Sequence, residues 1–387
     1  MKVLLLAFGN PDNVLSLSRH MSEKVDLTVV FSVSGDRFRQ GVMDADLTGL
    51  DNGLITERSV VDSVLNPDVK KYIGGRFSLW FLKTPSRKFI HKSGGFKNYL
   101  IVRKAARELS ACKFDAVHFN GTSGFLLYLL KHINCKNRIW TLHDYKPHTG
   151  EETRFGKLLN SVYTKFGIRY IQHYEYLKKE FAAYFSLNPE LIDQVYSGAF
   201  DIYESIKAKP TEVPGRYVLF FGRFSKYKGL DLLFRSFMQI NDGSLCLIAA
   251  GDGNADGITA EDNRIKLINR YIPPDELAYL IDRSLCVITP YSDSTHSGVI
   301  MTAYAFNKPV ISSDVGGIKE VLIDGKTGLL FRAGDEKGLI SAIEKMADDT
   351  ELRKRMSENI GLMKKEGILN WDSITTKMTG IYSKAAQ

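Results

Sequence analysis

Short apolar runs alternate with helix-length amphipathic stretches from one end of this 387-residue chain to the other. Runs that are apolar on both faces and separated by helices are typical of parallel sheets covered on each side. The predicted strands of the first half are Lys2–Ala7, Asp26–Phe31, Asp115–Phe119, Arg138–Leu142 and Arg169–Gln172. Those of the second half are Tyr217–Phe221, Leu245–Ala250, Ile265–Ile268, Leu285–Thr289, Pro309–Ser312 and Leu329–Phe331. The pattern predicts an α/β fold of doubly wound parallel sheets, which bind ligands at the carboxyl ends of their strands.

A polar stretch without periodicity, Tyr203–Arg216, contains Pro210 and Pro214 and separates the two series of strands. A chain of this length rarely builds a single core. We therefore predict two Rossmann-like domains that face each other across a cleft. The first spans residues 1–205 together with a returning C-terminal helix, residues 371–387, and the second spans residues 212–366.

The net charge of +8 is concentrated in one segment, Lys70–Arg107, which has 11 Lys and Arg and no Asp or Glu. The rest of the chain therefore carries about −3 (8 minus 11). Because the segment interleaves aromatic residues with cations, it fits a solvated helix face, a site that stacks nucleic-acid bases, or a surface resting on anionic lipid.

The four cysteines, which lie far apart and form no C-x-x-C pair, are Cys112, Cys135, Cys246 and Cys286. This distribution excludes a disulfide scaffold and a cysteine-based zinc site, and it fits a reducing compartment. No apolar run reaches the roughly 18–20 residues that span a bilayer. We expect a cytoplasmic protein.

A loop with one glycine and three basic residues follows the first strand of the second half. Gly222 and Arg223 open this loop, Lys226 and Lys228 continue it, and Leu230–Leu233 begins the next helix. Such a loop can hold an anion between cationic side chains at the carboxyl edge of a sheet, or it can be a solvated basic turn.

A run of hydroxyl residues precedes the apolar helix that begins near Gly298. Ser294, Thr295 and Ser297 are each competent to cap that helix. Gly298 would let a ligand approach backbone N–H groups closely, and these amides together with the helix dipole favour an anion. An ordinary capped helix explains the same residues, but two anion-ready loops in one predicted domain are a notable coincidence.

Short motifs of the second half occur in order at the spacing of a known family. They are Gly222-Arg223…Lys228-Gly229, Gly251-Asp252-Gly253, Asn307-Lys308-Pro309-Val310-Ile311, Gly316-Gly317…Glu320 and Asp324-Gly325…Gly328. From about residue 217 to 335 the chain resembles family 4 glycosyltransferases. These are retaining enzymes of the GT-B fold that use nucleotide-activated sugars. Weaker echoes, which extend the resemblance over most of the chain, are Phe114–His118, Thr141–Asp144, His173–Lys179 and Trp371…Tyr382.

The resemblance implies that Arg223 and Lys228 contact the diphosphate of the donor. Fixed cations stabilise the negative charge that grows on a leaving diphosphate, and such electrostatic terms are usually the largest in catalysis. Backbone amides near Ser297–Val299 would complete the cradle, so we expect neither a metal nor another cofactor. The triplet Asp44-Ala45-Asp46 imitates a metal-binding signature of the other major glycosyltransferase fold, which is the wrong context here.

The family often has two glutamates around the start of this helix, where the present chain has Ser294 and Thr302. The chain resembles a bacterial subgroup without the glutamates, so we expect hydroxyls and backbone amides to dominate donor binding. The implied donor-binding residues are Gly9, Gly222, Gly253, Ile272, Ser294, Thr295, His296, Ser297, Gly298, Val299 and Thr302.

The first half offers fewer candidates. His143 follows a predicted strand, and the resemblance places it against the transferred sugar, which we favour over a histidine satisfied by backbone groups at the strand edge. Asn120 and His148 are candidates for binding the acceptor. His118 lies inside a predicted strand, and we expect it to be structural.

Together these features predict a retaining transferase that moves a sugar from a nucleotide diphosphate, with uridine diphosphate expected, to a hydroxyl of a glycan or lipid-linked glycan. The basic segment, residues 70–107, then fits an anionic surface on the inner face of the plasma membrane better than nucleic acid. Two alternatives remain: a nucleotide-sugar epimerase on the same fold, and a non-catalytic subunit that binds sugar nucleotides or glycans, for which the missing glutamates argue.

Overall fold

The computed structural model describes residues 1–85, 95–123, 126–143, 169–254 and 262–384. Their contacts divide the chain into two compact units. The first contains the described residues up to Ser197 together with the helix Trp371–Lys384, and the second is Gly198–Asn370. Each unit is an α/β structure with its own parallel sheet, so the predicted fold class is confirmed.

The sheet of the first unit has the order β10-β9-β8-β7-β1-β2-β6-β5 and is parallel except for β5. Beside it lies the antiparallel hairpin β3-β4. The strands are β1 Lys2–Ala7, β2 Asp26–Ser34, β3 Arg37–Gln40, β4 Met43–Asp46, β5 Gly53–Ile55, β6 Ser78–Thr84, β7 Ala116–Asn120, β8 Arg138–Thr141, β9 Arg169–Gln172 and β10 Ile192–Gln194. The helices of this unit are Pro11–Met21, Arg58–Val64, Pro67–Ile73, Gly95–Ala111, Leu126–His132, Glu175–Phe185 and Trp371–Lys384.

The sheet of the second unit is parallel throughout and has the order β13-β12-β11-β14-β15-β16. Its strands are β11 Tyr217–Phe221, β12 Cys246–Gly251, β13 Ile265–Asn269, β14 Val287–Thr289, β15 Val310–Ser313 and β16 Gly328–Phe331. Its helices are Leu230–Met238, Pro274–Arg283, Gly298–Ala305, Glu336–Asp348 and Thr350–Lys365. Every residue of β11 is buried, as a central strand covered on both faces requires.

Strand β6 and the hairpin β3-β4 are absent from the sequence prediction, and β6 changes the interpretation of the basic segment. Its seven residues pair in parallel with β2 from Ser78 to Thr84, so the aromatic run is part of the sheet. Lys83 is only 3% exposed. Its ammonium lies 2.8 Å from the Asp36 carboxylate and donates to the carbonyls of Leu47 and Leu50. This cation is therefore not available to a ligand surface.

The contacts divide at 197/198, ahead of the stretch in which the sequence analysis places the boundary. Phe200 N–H donates to the carbonyl of Met301, 3.2 Å away, and the 3-10 turn Asp201–Ser205 follows directly. These contacts tie residues 198–205 to the second unit. The helix Trp371–Lys384 contacts the first unit, where the Trp371 ring stacks on His20 with centroids 5.3 Å apart.

Candidate functional site

The second sheet reverses its winding between β11 and β14, because β12 and β13 lie on one side of β11 and β14, β15 and β16 on the other. In open α/β sheets, ligands bind at such a switch point, outside the carboxyl ends of the strands. The two loops singled out in the sequence follow these two strands. Gly222–Lys228 continues β11, and Pro290–Ser297 continues β14.

Lys228 occupies the middle of this edge and is half-buried. Its ammonium lies 3.3 Å from Tyr291 Oη and 4.9 Å from the centroid of the Tyr291 ring. Tyr227 packs edge-on against Tyr291, with ring centroids 6.0 Å apart. Two aromatic rings that hold one ammonium restrict its rotamers, so less entropy is lost when an anion binds it.

Burial raises the pKa of both tyrosines above the usual value, most strongly for Tyr291. The Tyr227 hydroxyl also makes a hydrogen bond with Arg223, which is exposed. The Tyr291 hydroxyl makes a hydrogen bond with Ser297. Both phenols therefore stay neutral at ordinary pH and form no ion pair with Arg223 or Lys228.

Gly222 lies between the cation and the apolar helix. A Cβ there would stand 3.3 Å from Lys228 Nζ and 3.4 Å from Val299 Cγ2, and the backbone has φ +115°. A side chain would be strained and would fill the space between the two loops. This edge thus brings together Gly222, Lys228, Ser297 and Val299, as the sequence analysis expects of a donor site.

Gly253 fastens the end of β12 to the same loop. Its φ is +135°, and a Cβ would collide with the carbonyl oxygen of Phe224. Phe224 N–H donates to the Asp252 carbonyl at 2.7 Å, and Asn254 N–H donates to the Phe224 carbonyl at 3.2 Å. Ile272, which is buried, lies one connection further along this edge, after β13.

The hydroxyls that replace the family's glutamates are buried. Thr302 is 3% exposed, and its Oγ1 donates to the Gly298 carbonyl at 2.9 Å, which leaves its lone pairs as acceptors. Ser297 caps the helix through its hydroxyl, which accepts from Ile300 N–H at 3.4 Å. Ser294 and Thr295 are buried and His296 is half-buried just before it.

The first sheet reverses between β1 and β7, and a cavity of about 240 Å³ opens at that point. The residues that line it are Phe8, Gly9, Asn10, Gln40, Asn120, Gly121, Thr122, Leu142 and His143. Three predicted residues, Gly9, Asn120 and His143, therefore share one cavity. His148 lies outside the described residues.

The polar side chains of this cavity are three amides, a hydroxyl and an imidazole. Asn120 is 2% exposed, and its Oδ1 lies 2.8 Å from His143 Nε2. His143 Nδ1 lies 3.0 Å from His173 Nε2, at the end of the next strand. Polar groups of this kind suit the hydroxyls of a sugar.

Gln40 and Asp12 are functional candidates that the sequence analysis missed. Gln40 ends β3, and its carboxamide lies against Gly9. Asp12 Oδ1 accepts from Val42 N–H at 2.7 Å and so fixes the turn of the hairpin. In the sequence, the hairpin is indicated by polar and apolar residues that alternate in Arg37–Gln40 and in Met43–Asp46, on either side of Gly41.

The acidic triplet Asp44-Ala45-Asp46 forms β4 of that hairpin. The Asp44 carboxylate pairs with Arg37 at 2.9 Å and Arg39 at 3.1 Å. These arginines hold its pKa below the usual value, with the Arg37 hydrogen bond as the main cause. Among the described residues, no group of three or more His, Cys, Asp or Glu side chains could hold a metal.

His118 is structural, as predicted. It is fully buried, its Nε2 lies 2.8 Å from Thr141 Oγ1, and its Nδ1 lies 2.7 Å from Tyr382 Oη on the last helix. Burial lowers its pKa to about 3. The ring therefore stays neutral and joins β7, β8 and the C-terminal helix.

The chain also matches known proteins in sequence. Residues 215–349 match the model of the family described as Glycosyl transferases group 1. A D-inositol 3-phosphate glycosyltransferase of Corynebacterium aurimucosum is 26% identical over 184 residues, which are 44% of this chain and 43% of that protein. An uncharacterized glycosyltransferase, MJ1178 of Methanocaldococcus jannaschii, is 28% identical over 203 residues, 50% of this chain and 56% of that protein. The chain thus spans about half the length of the curated relatives it matches.

Solved structures extend the likeness over the whole chain. Anabaena Alr3699/HepE in complex with UDP and glucose aligns with a TM-score of 0.68 at 16% identity, covering 99% of this chain and 100% of that one. The sucrose-phosphate synthase tll1590 of Thermosynechococcus elongatus aligns with a TM-score of 0.68 at 15% identity, covering 99% of both chains. At this identity the likeness shows the fold, which is GT-B. The resemblance to family 4 glycosyltransferases is confirmed.

Proposed function

We propose that this protein of the family 4, GT-B type is a retaining glycosyltransferase. It would move a sugar from a nucleotide diphosphate, with uridine diphosphate expected, to a hydroxyl of a glycan or lipid-linked glycan. The observation that carries this proposal is the convergence of Lys228, Gly222 and the start of the helix Gly298–Ala305 at the switch point of the second sheet. The UDP in the Anabaena structure supports the choice of nucleotide.

The chemistry follows from the charges at that edge. When the glycosidic bond breaks, its electron pair moves to the leaving diphosphate oxygen. Lys228, fixed by Tyr291, and the exposed Arg223 would stabilise that charge, and backbone amides at Gly298 and Val299 would add two N–H dipoles. A phosphate oxygen of the leaving group would take the acceptor's proton as the new bond forms on the same face, which retains the anomeric configuration. This route needs no protein nucleophile and no metal.

A calorimetric titration tests the donor site directly. We expect UDP to bind wild-type protein, and Arg223→Ala and Lys228→Ala each to weaken that binding by at least tenfold, since each removes a charge-assisted contact. Lys226→Ala is the matched control, because Lys226 is an exposed lysine of the same turn. Undetectable binding of UDP, GDP and ADP compounds alike would reject the proposal.

The buried hydroxyls at Ser294 and Thr302 favour a second candidate, a subunit that binds sugar nucleotides without turning them over. Neutral hydroxyls contribute about 0.5–1.5 kcal/mol per hydrogen bond, against 1.5–3 for a charged acceptor. Nucleotide release that depends on an added glycan acceptor would indicate the transferase and not the non-catalytic subunit. Tight donor binding without such release over a broad panel of acceptors would favour the subunit, and an acceptor-independent change of the sugar would indicate an epimerase.

We further propose that the helix Gly95–Ala111 touches an anionic membrane surface. Phe96 is 73% exposed and Leu100 is 46% exposed, one turn apart on the same side. Lys97, Lys104 and Arg107 are exposed on this helix. The described part of the chain contains no helix long and apolar enough to span a bilayer. An apolar pair beside several cations is suited to the interface of anionic lipid.

Vesicle sedimentation tests the membrane proposal. We expect binding to vesicles with phosphatidylserine or phosphatidylglycerol, loss of that binding in high salt, and weak binding to phosphatidylcholine alone. The double variant Phe96→Ser with Leu100→Ser should reduce binding. Leu362→Ser is its control, because Leu362 is 55% exposed on another helix. Equal partitioning to both kinds of vesicle would contradict the proposal.

A further inference from the structure

Another cavity of the first unit, of about 380 Å³, opens at the amino ends of β2 and β6. Asp26 begins β2, Ser78 begins β6, and both line it together with residues of the helices Arg58–Val64 and Pro67–Ile73. The neutral cavity that holds the acceptor candidates lies instead at the carboxyl ends of β1 and β7. The two cavities are therefore at opposite edges of one sheet, and the acceptor candidates do not line this one.

The buried lining of this cavity is apolar and its exposed rim is basic. The buried side chains include those of Val25, Leu27, Val61, Leu65, Ile73 and Leu79. The rim has three exposed cations, Arg58, Lys70 and Arg76. Lys70 and Arg76 belong to the basic segment that the sequence analysis singles out. A cavity with these two parts is suited to a ligand that has an anionic group and an organic body.

Two consecutive glycines bring two of these cations together. Gly74 has φ +55° and Gly75 has φ +75°, so the turn after the helix Pro67–Ile73 is built from residues without side chains. A Cβ at Gly74 would stand 2.9 Å from Arg76 Nη1, and a Cβ at Gly75 would stand 2.7 Å from Arg58 Nη2. Both guanidinium groups therefore occupy the space beside neighbouring residues of one turn, where their like charges repel each other.

The carboxylates of the protein neutralise this rim only in part. Asp62 is shared between two cations, since its Oδ2 lies 3.6 Å from Arg58 Nε and 3.8 Å from Lys70 Nζ, both beyond hydrogen-bond length. Arg76 has no carboxylate partner in the described part of the chain, where its Nη1 donates to a backbone carbonyl at 3.4 Å. With Asp26 included, three cations face two carboxylates across the cavity. An added anion would reduce the repulsion between the two guanidinium groups.

We propose that this cavity binds a phosphate monoester, with the phosphate between Arg58 and Arg76 and the organic body against the apolar lining. A guanidinium group donates two parallel N–H bonds to phosphate oxygens, which makes arginine well matched to this anion. A phosphate monoester carries between one and two negative charges at neutral pH, enough to compensate the rim. The same group occurs on soluble metabolites and on lipids such as phosphatidic acid. The site is independent of the proposed sugar transfer.

Trp80 reports on this cavity, because it lines the cavity and is half-buried, whereas the other two tryptophans, Trp140 and Trp371, are buried and do not line it. Indole N–H resonances of protein labelled with nitrogen-15 at tryptophan can be followed while inorganic phosphate or phenyl phosphate is added. We expect a saturable shift of the Trp80 resonance alone, with phenyl phosphate binding more tightly because its ring adds apolar contact. No Trp80 shift, or the same shift with sodium chloride of equal ionic strength, would overturn the proposal.

Charge variants test the rim with effects of opposite sign. Arg58→Gln and Arg76→Gln should each weaken phosphate binding about tenfold, the loss of one charge-assisted contact. Asp62→Asn removes a carboxylate that competes with phosphate for the cations and should tighten binding about threefold. Arg355→Gln, an exposed arginine on the helix Thr350–Lys365, is the matched control. Unchanged affinity in both arginine variants, or weaker binding in Asp62→Asn, would overturn the proposal.

Vesicles of matched surface charge identify the source of the phosphate. Phosphatidic acid presents a phosphate monoester, whereas phosphatidylglycerol presents a diester. A preference of wild-type protein for phosphatidic acid that Arg76→Gln removes would support a lipid ligand, and Trp80 shifts with phosphate but without such a preference would support a soluble one. Both results support the site. A preference for phosphatidic acid that Arg76→Gln leaves intact, without a Trp80 shift, would overturn it.

Discussion

The two units have the same kind of sheet but opposite chemistry at the switch point. The second unit places the cations Arg223 and Lys228 there, on a loop next to a helix start. The first unit places Asn120, His143 and Gln40 around a cavity of about 240 Å³. Topology therefore places each candidate site, and the residues that follow the strands make the second edge suited to an anion and the first to a neutral polyol.

The largest expected effect comes from the cationic edge. Arg223→Ala and Lys228→Ala should each lower kcat by about 10²–10³, the usual cost of losing a fixed charge aimed at a transition state. Sugar transfer measured by nucleotide release gives the value. Lys226→Ala should remain near wild type, since its ammonium is exposed in the same turn. An equal loss of kcat in all three variants would contradict the prediction, because the exposed Lys226 would then matter as much as Arg223 and Lys228.

Stability should depend on pH through the first unit. The pKa of His118 is lowered to about 3 by burial, so an unfolded chain takes up a proton there that the folded chain does not. The free energy of unfolding should fall as pH decreases from about 6.5 toward 3, by up to about 1.4 kcal/mol per pH unit from this group. Urea unfolding at several pH values measures the slope. His118→Gln should flatten it, and an unchanged slope would contradict the assignment.

A smaller effect should separate acceptor from donor recognition. Gln40→Ala removes an amide from the neutral cavity and should raise the acceptor KM by about three- to tenfold, the value of one hydrogen bond. UDP affinity, measured by calorimetry, should not change. Asp46→Asn is the control, because Asp46 lies on the same hairpin and bonds Thr48 N–H instead of lining the cavity. A loss of UDP affinity in Gln40→Ala would contradict the prediction, because it would mean that Gln40 contacts the donor nucleotide and not the acceptor.

The smallest effect is expected at the helix of the donor edge. Thr302→Ala should weaken UDP binding only a few-fold, since a neutral hydroxyl that already donates to the Gly298 carbonyl contributes one weak acceptor. A thermal-shift titration with UDP detects a change of this size. A loss of UDP affinity as large as that of Lys228→Ala would contradict the expectation that cations, and not side-chain hydroxyls, dominate UDP binding at this edge.

The sequence predicted the second unit better than the first, and the reason is physical. Gly222, Arg223 and Lys228 lie within seven residues of one another, so a short motif carries the site. The cavity of the first unit draws on Gly9, Gln40, Asn120 and His143, which only the completed sheet brings together. Periodicity found β1 and β9 to the residue. It missed β6, because the basic residues that flank and end this run, Arg76 and Lys83, led to its interpretation as part of the basic segment.

His173 illustrates the same limit. It follows β9 directly, as His143 follows β8 by one residue, and this shared position at the strand ends was visible in the sequence. The hydrogen bond between the two rings was not visible in the sequence. It depends on the parallel register of β8 and β9, which aligns Thr141 with Ile171 only in the folded sheet.

The last helix, Trp371–Lys384, has a consequence for synthesis of the chain. Because it supplies Tyr382 to His118 and Trp371 to His20, the packing of the first unit stays incomplete until the ribosome has added the residues of this segment. Gly198–Asn370 emerges earlier as one uninterrupted stretch. The half of the molecule that is translated first is therefore the one that finishes folding last.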